Sequence, residues 1–171
     1  NEETLTWMKK AGCWVIAFGT ESGSQDTLDR IRKKATVDQA YEAIAMTRRA
    51  GIKSSVYLLF GLPWDSDETL RVQSDFARRL DPDYLEVFFI YPFPGTTMYD
   101  ECVSAGLMKA GEIPKEAYGE PAMPTLHLTA EELVAWRKRA LREFYFRPAY
   151  IWRTLRSAGS PRAAANYLRV G

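Results

Sequence analysis

Phe18-Gly19-Thr20-Glu21-Ser22-Gly23-Ser24-Gln25 is the stretch on which the reading of this chain turns. It grows out of the apolar run Cys13 to Phe18, so a carboxylate flanked by glycines and hydroxyls stands where a strand is expected to end. Glu21 in that position can accept hydrogen bonds from ribose hydroxyls, while Gly19 and Gly23 let the backbone approach a nucleoside closely. Ser22, Ser24 and Gln25 add donors beside it. The same residues equally describe a turn that starts a helix, with Glu21 complementing the helix dipole. They also suit a phosphate held at a helix N-terminus.

Two further apolar runs, Ser55 to Phe60 and Leu85 to Tyr91, have the length and the β-branched or aromatic content of strands buried on both faces, which implies a parallel sheet. Helical segments lie between them. Thr36 with Gln39 forms a capping box ahead of a face made of Val37, Ala40, Tyr41 and Ile44, and Gly51 ends that helix. Asp65 with Glu68 is expected to repeat the arrangement ahead of Leu70, Ala77 and Leu80, with Asp81-Pro82 as the stop. The first residues of the chain also read as helix. The order α, β, α, β, α, β predicts an α/β fold, either a doubly wound sheet or part of a TIM-type (β/α) barrel. Three strands do not close a barrel. The expectation is therefore that a further half-barrel, a second copy of the chain in a homodimer or a covering helix protects the sheet edges.

Parallel α/β folds present their working residues at the C-terminal ends of the strands. Three loops qualify: Gly19 to Gln25, Gly61-Leu62-Pro63-Trp64, and Tyr91 to Thr97, which includes Pro94 and Gly95. Beyond them a short helix is expected near Thr96 to Ala105, then an irregular arm over residues 106–128 containing Pro114, Pro121 and Pro124. Thr129 and Glu132 form another capping box, Leu128 and Leu133 can staple it, and Leu133, Trp136, Ala140, Leu141 and Phe144 make a helical stripe. Pro148 interrupts or ends that helix. Ile151 to Ser157 and Pro161 to Leu168 read as two more short basic helices. The expected organisation is residues 1–105 as the α/β part, 106–128 as the arm and 129–171 as a basic helical extension.

Of the 171 residues, 46% are apolar and 26% charged, the make-up of a soluble globular chain. The net charge of +1 argues neither for nucleic acid nor for an acidic partner, and no nucleic-acid partner is expected, although residues 129–171 hold nine basic and three acidic side chains. Those basic helices carry Trp136, Phe144, Tyr145, Phe146, Tyr150 and Trp152, a composition that suits a membrane surface as well as packing against the rest of the protein; packing is preferred. Cys13 and Cys102 are too far apart in sequence for a disulfide framework or a metal site, so both read as packing residues and neither as a metal ligand; a cytoplasmic setting is expected. No apolar run approaches the roughly 20 residues of a membrane span. His127 reads as structural and the methionines as core filler. The start at Asn1-Glu2-Glu3-Thr4, without Met, reads as a piece cut from a longer chain.

Gly19-Thr20-Glu21-Ser22-Gly23-Ser24-Gln25, followed by Leu28, Ile31, Lys33 and Thr36, resembles the "G-x-E-S-G-S … L … I-N-K-G-x-T" stretch of radical S-adenosylmethionine (SAM) enzymes. Phe60-Gly61-Leu62-Pro63 with Glu68-Thr69 is similar to their "G-L-P-G-E-T" segment, and Tyr91-Pro92-Phe93-Pro94-Gly95-Thr96 to their "P-Y-P-G-T" segment, in the same order. Leu128 to Glu132 and Arg142 to Pro148 look like the tail of the cobalamin-binding branch, which includes methyltransferases and cyclases. The resemblance implies the C-terminal half of a catalytic barrel. Such enzymes use a [4Fe-4S] cluster, held by a C-x-x-x-C-x-x-C motif, to cleave SAM reductively to a 5′-deoxyadenosyl radical. That motif is absent here, so the cluster, the first half of the barrel and a cobalamin domain are expected upstream, and this chain alone is expected to bind no cofactor and to be inert. By the resemblance, Glu21, Ser22, Gly23, Ser24, Gln25, Gly61, Leu62 and Pro63 would form the SAM pocket. Lys33 or Lys34 would meet the SAM carboxylate, although Arg32-Lys33-Lys34 stands where the family has Asn-Lys-Gly. Tyr91, Pro94 and Gly95 would face a small-molecule substrate. Trp64, in place of the family's glycine, reshapes the pocket or is a surface aromatic. Two other readings stay open: a non-catalytic scaffold built on a half-barrel, and an unrelated phosphate- or nucleotide-binding α/β enzyme.

Overall fold

Side-chain alternation along three strands organises the molecule. The structure, a computed structural model, describes residues 1–111 and 119–157; Pro114 and the segment Pro161 to Leu168 lie outside the described residues. The elements run α1 (Glu2–Lys10), β1 (Val15–Glu21), α2 (Gln25–Arg30), α3 (Val37–Arg49), β2 (Lys53–Phe60), α4 (Asp67–Leu80), β3 (Tyr84–Phe89), α5 (Thr97–Ser104), α6 (Ala130–Tyr145) and α7 (Pro148–Ser157). The strands are parallel in the order β1-β2-β3, as their apolar content predicts.

Alternate apolar residues of β2 and β3 enter one core, joined by Phe18 of β1. Val56, Leu58 and Phe60 from β2 and Leu85, Val87 and Phe89 from β3 pack with Phe18 of β1 against Ile44 of α3, Leu70, Phe76, Ala77 and Leu80 of α4, and Leu133, Trp136, Ala140 and Phe144 of α6. The intervening residues face the other way. Ala17, Gly19 and Glu86 are exposed, and Tyr57, Leu59 and Phe88 are half-buried. The expectation of strands buried on both faces is thus corrected: the helices of the core cover one face, and the other is open among the described residues. Period-2 alternation was hidden because the open face is itself rich in Tyr, Leu and Phe, as in the Tyr57–Phe88 edge-to-face pair at 5.2 Å.

The helix caps follow local chemistry with one exception. Thr36 with Gln39 and Thr129 with Glu132 form the predicted capping boxes. Ahead of α4, however, the cap is Ser66 with Thr69 rather than Asp65 with Glu68. Asp65 is drawn inward instead, where backbone amides hold it. α6 stops at Tyr145 and Pro148 opens α7, where its missing N–H costs nothing. Arg48, Arg147 and Arg153 converge on Asp81, the left-handed C-cap of α4, and so tie α3 and α7 to it.

The two sheet edges differ. Tyr145 Oη both accepts from Leu85 N and donates to Leu85 O at 2.9 Å, and Tyr150 Oη donates to Asp83 O at 2.8 Å. Helices α6 and α7 therefore occupy the hydrogen-bonding edge of β3, the covering-helix solution. Among the described residues β1 has a strand neighbour on its β2 side alone.

Candidate functional site

β1 runs three residues beyond its predicted end, so Gly19, Thr20 and Glu21 belong to the strand. The register slips between Gly19 and Glu21, a bulge that leaves Glu21 in the left-handed region at φ 60. Such a conformation is strained for a non-glycine residue and persists only where its surroundings dictate it. Here they do: the Thr20 hydroxyl donates to Tyr57 O at 3.1 Å on one side, and Gly23 N donates to Gln73 Oε1 at 3.0 Å on the other.

The bulge turns the Glu21 carboxylate back over Gly19. A Cβ on Gly19 would stand 2.7 Å from Glu21 Oε1 and 3.4 Å from Lys33 Nζ, so only glycine leaves this cradle open. Lys33 Nζ donates to Glu21 Oε1 at 2.7 Å, in a pair that is only partly exposed. Glu21 Oε2 has no hydrogen bond among the described residues. One carboxylate oxygen is thus anchored and the other is available, beside a cation, at the C-terminal rim of the sheet.

The other predicted residues of this loop are spent on the loop itself. Ser22 is buried and its Oγ accepts from Ser24 N at 3.0 Å; Ser24 caps α2 through Thr27 N. Gln25 donates to Asp29 Oδ1 and Ala35 O and accepts from Val37 N, lacing α2 to α3. The amides a phosphate would need at Gly23 and Ser24 are therefore already bonded. Lys34 is exposed, one residue past Lys33.

Leu62 and Pro63 in the second loop are buried, Leu62 completely. The loop is shaped by Asp65, which sequence reasoning placed at a helix cap. Its Oδ2 accepts from Gly61 N at 2.9 Å and Leu62 N at 3.0 Å, and its Oδ1 accepts from Thr69 Oγ1 at 3.1 Å. Burial pushes the Asp65 carboxyl up to about 6 against these three stabilising bonds. Thr125 Oγ1 donates to Asp65 O and Leu126 N to Pro63 O, so the segment before α6 braces the loop from outside. Arg30, at the end of α2, stacks on Trp64 with its guanidinium 3.6 Å from the ring centroid, joining α2 to the second loop. In the third loop Tyr91 and Phe93 pair at 4.7 Å, and Pro94 and Gly95 are exposed.

A cavity of about 170 Å³ adjoins the first loop, lined by Phe18, Gly19, Thr20 and Ser22 together with Leu28 of α2 and Ala40 of α3. Its hydroxyls at Thr20 and Thr36 are already committed, to Tyr57 O and to the cap of α3. Among the described residues no three His, Cys, Asp or Glu side chains are placed to hold a metal ion. Cys13 lies before β1 rather than in a strand and is half-buried, donating to Val15 O; Cys102 is buried and its thiol is pushed up to about 11, chiefly by burial. The chain therefore does not fit an iron–sulfur cluster by itself. His127 is exposed in the loop before α6, where its amide bonds Thr125. No helix of the described residues is long and apolar enough to cross a membrane.

Comparison with known proteins gives a consistent picture. Residues 1–76 match the model of the radical SAM superfamily. An uncharacterised methyltransferase of Pyrococcus horikoshii, PH0819, is 29% identical over 148 residues, 86% of this chain and 32% of its own length. The anaerobic magnesium-protoporphyrin IX monomethyl ester cyclase of Cereibacter sphaeroides is 30% identical over 156 residues, 90% of this chain and 25% of its own length. The solved structure of TsrM from Kitasatospora setae, a radical S-adenosylmethionine methyltransferase with cobalamin and a [4Fe-4S] cluster bound, shares the fold with a TM-score of 0.55 at 23% identity, over 87% of this chain and 29% of that one. The chain spans a third or less of the length of these relatives.

Proposed function

This chain belongs to the radical SAM superfamily, and on that premise we propose that the C-terminal rim of its sheet binds SAM, with Glu21 accepting hydrogen bonds from the ribose hydroxyls. The observation that carries this is the Glu21 carboxylate folded over Gly19, with one oxygen held by Lys33 and the other available. Lys33 orients the carboxylate and adds a positive charge; we assign it, rather than exposed Lys34, to the site. Ser22, Gly23, Ser24 and Gln25 act through the backbone shape they enforce. Asp65 does the same for Gly61-Leu62-Pro63, whose backbone would border the nucleoside. Tyr91, Pro94 and Gly95 form the rim on the substrate side.

When bound, SAM and a [4Fe-4S] cluster supply reductive cleavage, the hard step of the reaction. The cluster ligands belong, in this reading, to residues outside this sequence, in a longer enzyme whose remaining part completes the barrel. Relatives named as a methyltransferase and a cyclase, and a neighbour holding cobalamin, support an enzyme of one of those two reaction classes with cobalamin in a separate domain. Glu21→Ala in the cluster-loaded, full-length protein is expected to weaken SAM binding about tenfold, the loss of a charge-assisted hydrogen bond. Unchanged affinity, measured by calorimetry without reductant, would show that the ribose role is misassigned.

A further inference from the structure

Helix α4 buries two polar side chains: Ser74, which bonds within the helix to Leu70 O, and a second that the helix itself does not satisfy. Among Leu70, Phe76, Ala77 and Leu80 stands Gln73, 2% exposed. A buried carboxamide is tolerated only when hydrogen-bonded. Gln73 has two partners, and they lie on different rim segments. Its Oε1 accepts from Gly23 N at 3.0 Å, in the loop after β1, and its Nε2 donates to Leu59 O at 3.5 Å, near the end of β2. Three residues further along α4, the Phe76 side chain lies so close to Gly23 that a Cβ there would stand 2.2 Å from Phe76 Cβ. Both Gln73 and Phe76 are buried beneath the rim. Together they press Gly23 down onto α4 and tie it to β2.

The consequence falls on Glu21, two residues before Gly23. Its left-handed backbone is held between the Thr20–Tyr57 bond and the Gly23–Gln73 bond. With the second bond removed, the Ser22-Gly23 backbone keeps its local bonds, Ser22 N to Thr20 O and Ser24 N to Ser22 Oγ, and its packing on Phe76, but loses its hydrogen bond to α4, and the strain at Glu21 can relax.

We propose that Gln73 is a positioning residue of the rim, which keeps Glu21 in its strained conformation and its carboxylate over Gly19. That this matters for SAM rests on the ribose reading of Glu21; that it fixes the loop does not. The test uses Gln73→Met, which keeps length and volume but neither bond, and Gln73→Glu read at pH 5, where burial keeps the carboxyl protonated, so that it retains an acceptor for Gly23 N and a donor for Leu59 O. Amide hydrogen exchange at residues 22–24 and SAM affinity without reductant are read on both in the full-length protein. Gln73→Met should speed exchange at Gly23 about tenfold and weaken SAM about tenfold, while Gln73→Glu stays within about threefold of the parent on both. Equal behaviour of the two variants, or unaltered exchange at Gly23 in Gln73→Met, overturns the proposal. If Gln73→Met does not fold, Gln73→Glu decides alone: parental protection at Gly23 supports the assignment and lost protection overturns it. Faster exchange at Gly23 in Gln73→Met with SAM affinity unaltered leaves Gln73 as the loop's anchor and overturns its role toward the cofactor. A parent protein that binds no SAM at all, with the same exchange change, sinks the ribose reading instead and leaves the positioning intact.

Discussion

A single turn shows how much a residue's backbone can disclose. Arg32 and Lys34 both adopt left-handed conformations, φ 57 and φ 53, on either side of Lys33, whose side chain reaches Glu21. Asparagine and glycine accept that region more readily than arginine and lysine do. Left-handed positions on either side of Lys33 suit the Asn-Lys-Gly of the stretch that this turn resembles, and Lys33 is the cation that faces Glu21. Because Lys34 is exposed, its replacement tests the strain without disturbing packing. Lys34→Gly should raise stability by about 1 kcal/mol, the left-handed penalty less some chain entropy. Urea unfolding reads the difference, and an unchanged or lower midpoint would mean that the turn stores no strain.

At the scale of elements, α4 governs two of the three loops, one through Gln73 and the other through the segment that leads into it. Asp65 gives the second hold a pH signature. Its carboxyl titrates near 6 in the folded chain against an ordinary 3.8, so between these values the folded state keeps a proton that the unfolded chain has released. By linkage this part of the stability falls as pH rises from about 4 to about 6 and levels off above, by about 3 kcal/mol in all. Asp65→Asn, which keeps an acceptor for the loop amides, should lose that slope. Unfolding free energies of the two proteins, subtracted at pH 4, 5, 6 and 7, isolate it; a constant difference would show that Asp65 does not titrate in this window. Neither Asp65 nor Gln73 could be found from sequence. Asp65 stands in the run Asp65-Ser66-Asp67, where any of three side chains could cap, and burial rather than propensity selects Ser66. Gln73 meets Gly23 across fifty residues of chain. What was legible is local: the boxes at Thr36 and Thr129, the apolar face of α4 and the proline that separates α6 from α7. The six-residue α2 was absorbed into its loop for the opposite reason, having too few residues to show a period.

For the whole molecule the decisive asymmetry is between the edges of the sheet. β2 is bonded on both sides, and β3 is bonded to β2 on one side and capped by Tyr145 and Tyr150 on the other. A tyrosine hydroxyl that both donates to and accepts from Leu85 takes the place another strand would need, so any strand that extends this sheet joins at β1. The same end of the sheet bears Glu21, which places the candidate SAM contact beside the growing edge rather than beside the closed one. This order should be visible as protection of backbone amides. In the 171-residue chain β2 should exchange slowest and β1 fastest, with Leu85 protected despite its edge position. Tyr145→Phe leaves the Leu85 N–H and C=O without their partner at a cost of about 1–3 kcal/mol, and should speed exchange at Leu85 by about tenfold or more while β1 is unaltered. Equal protection of β1 and β3 in the parent, or an unaltered Leu85 in the variant, would mean that the tyrosine does not close that edge, and that the sheet is as free to grow beyond β3 as beyond β1.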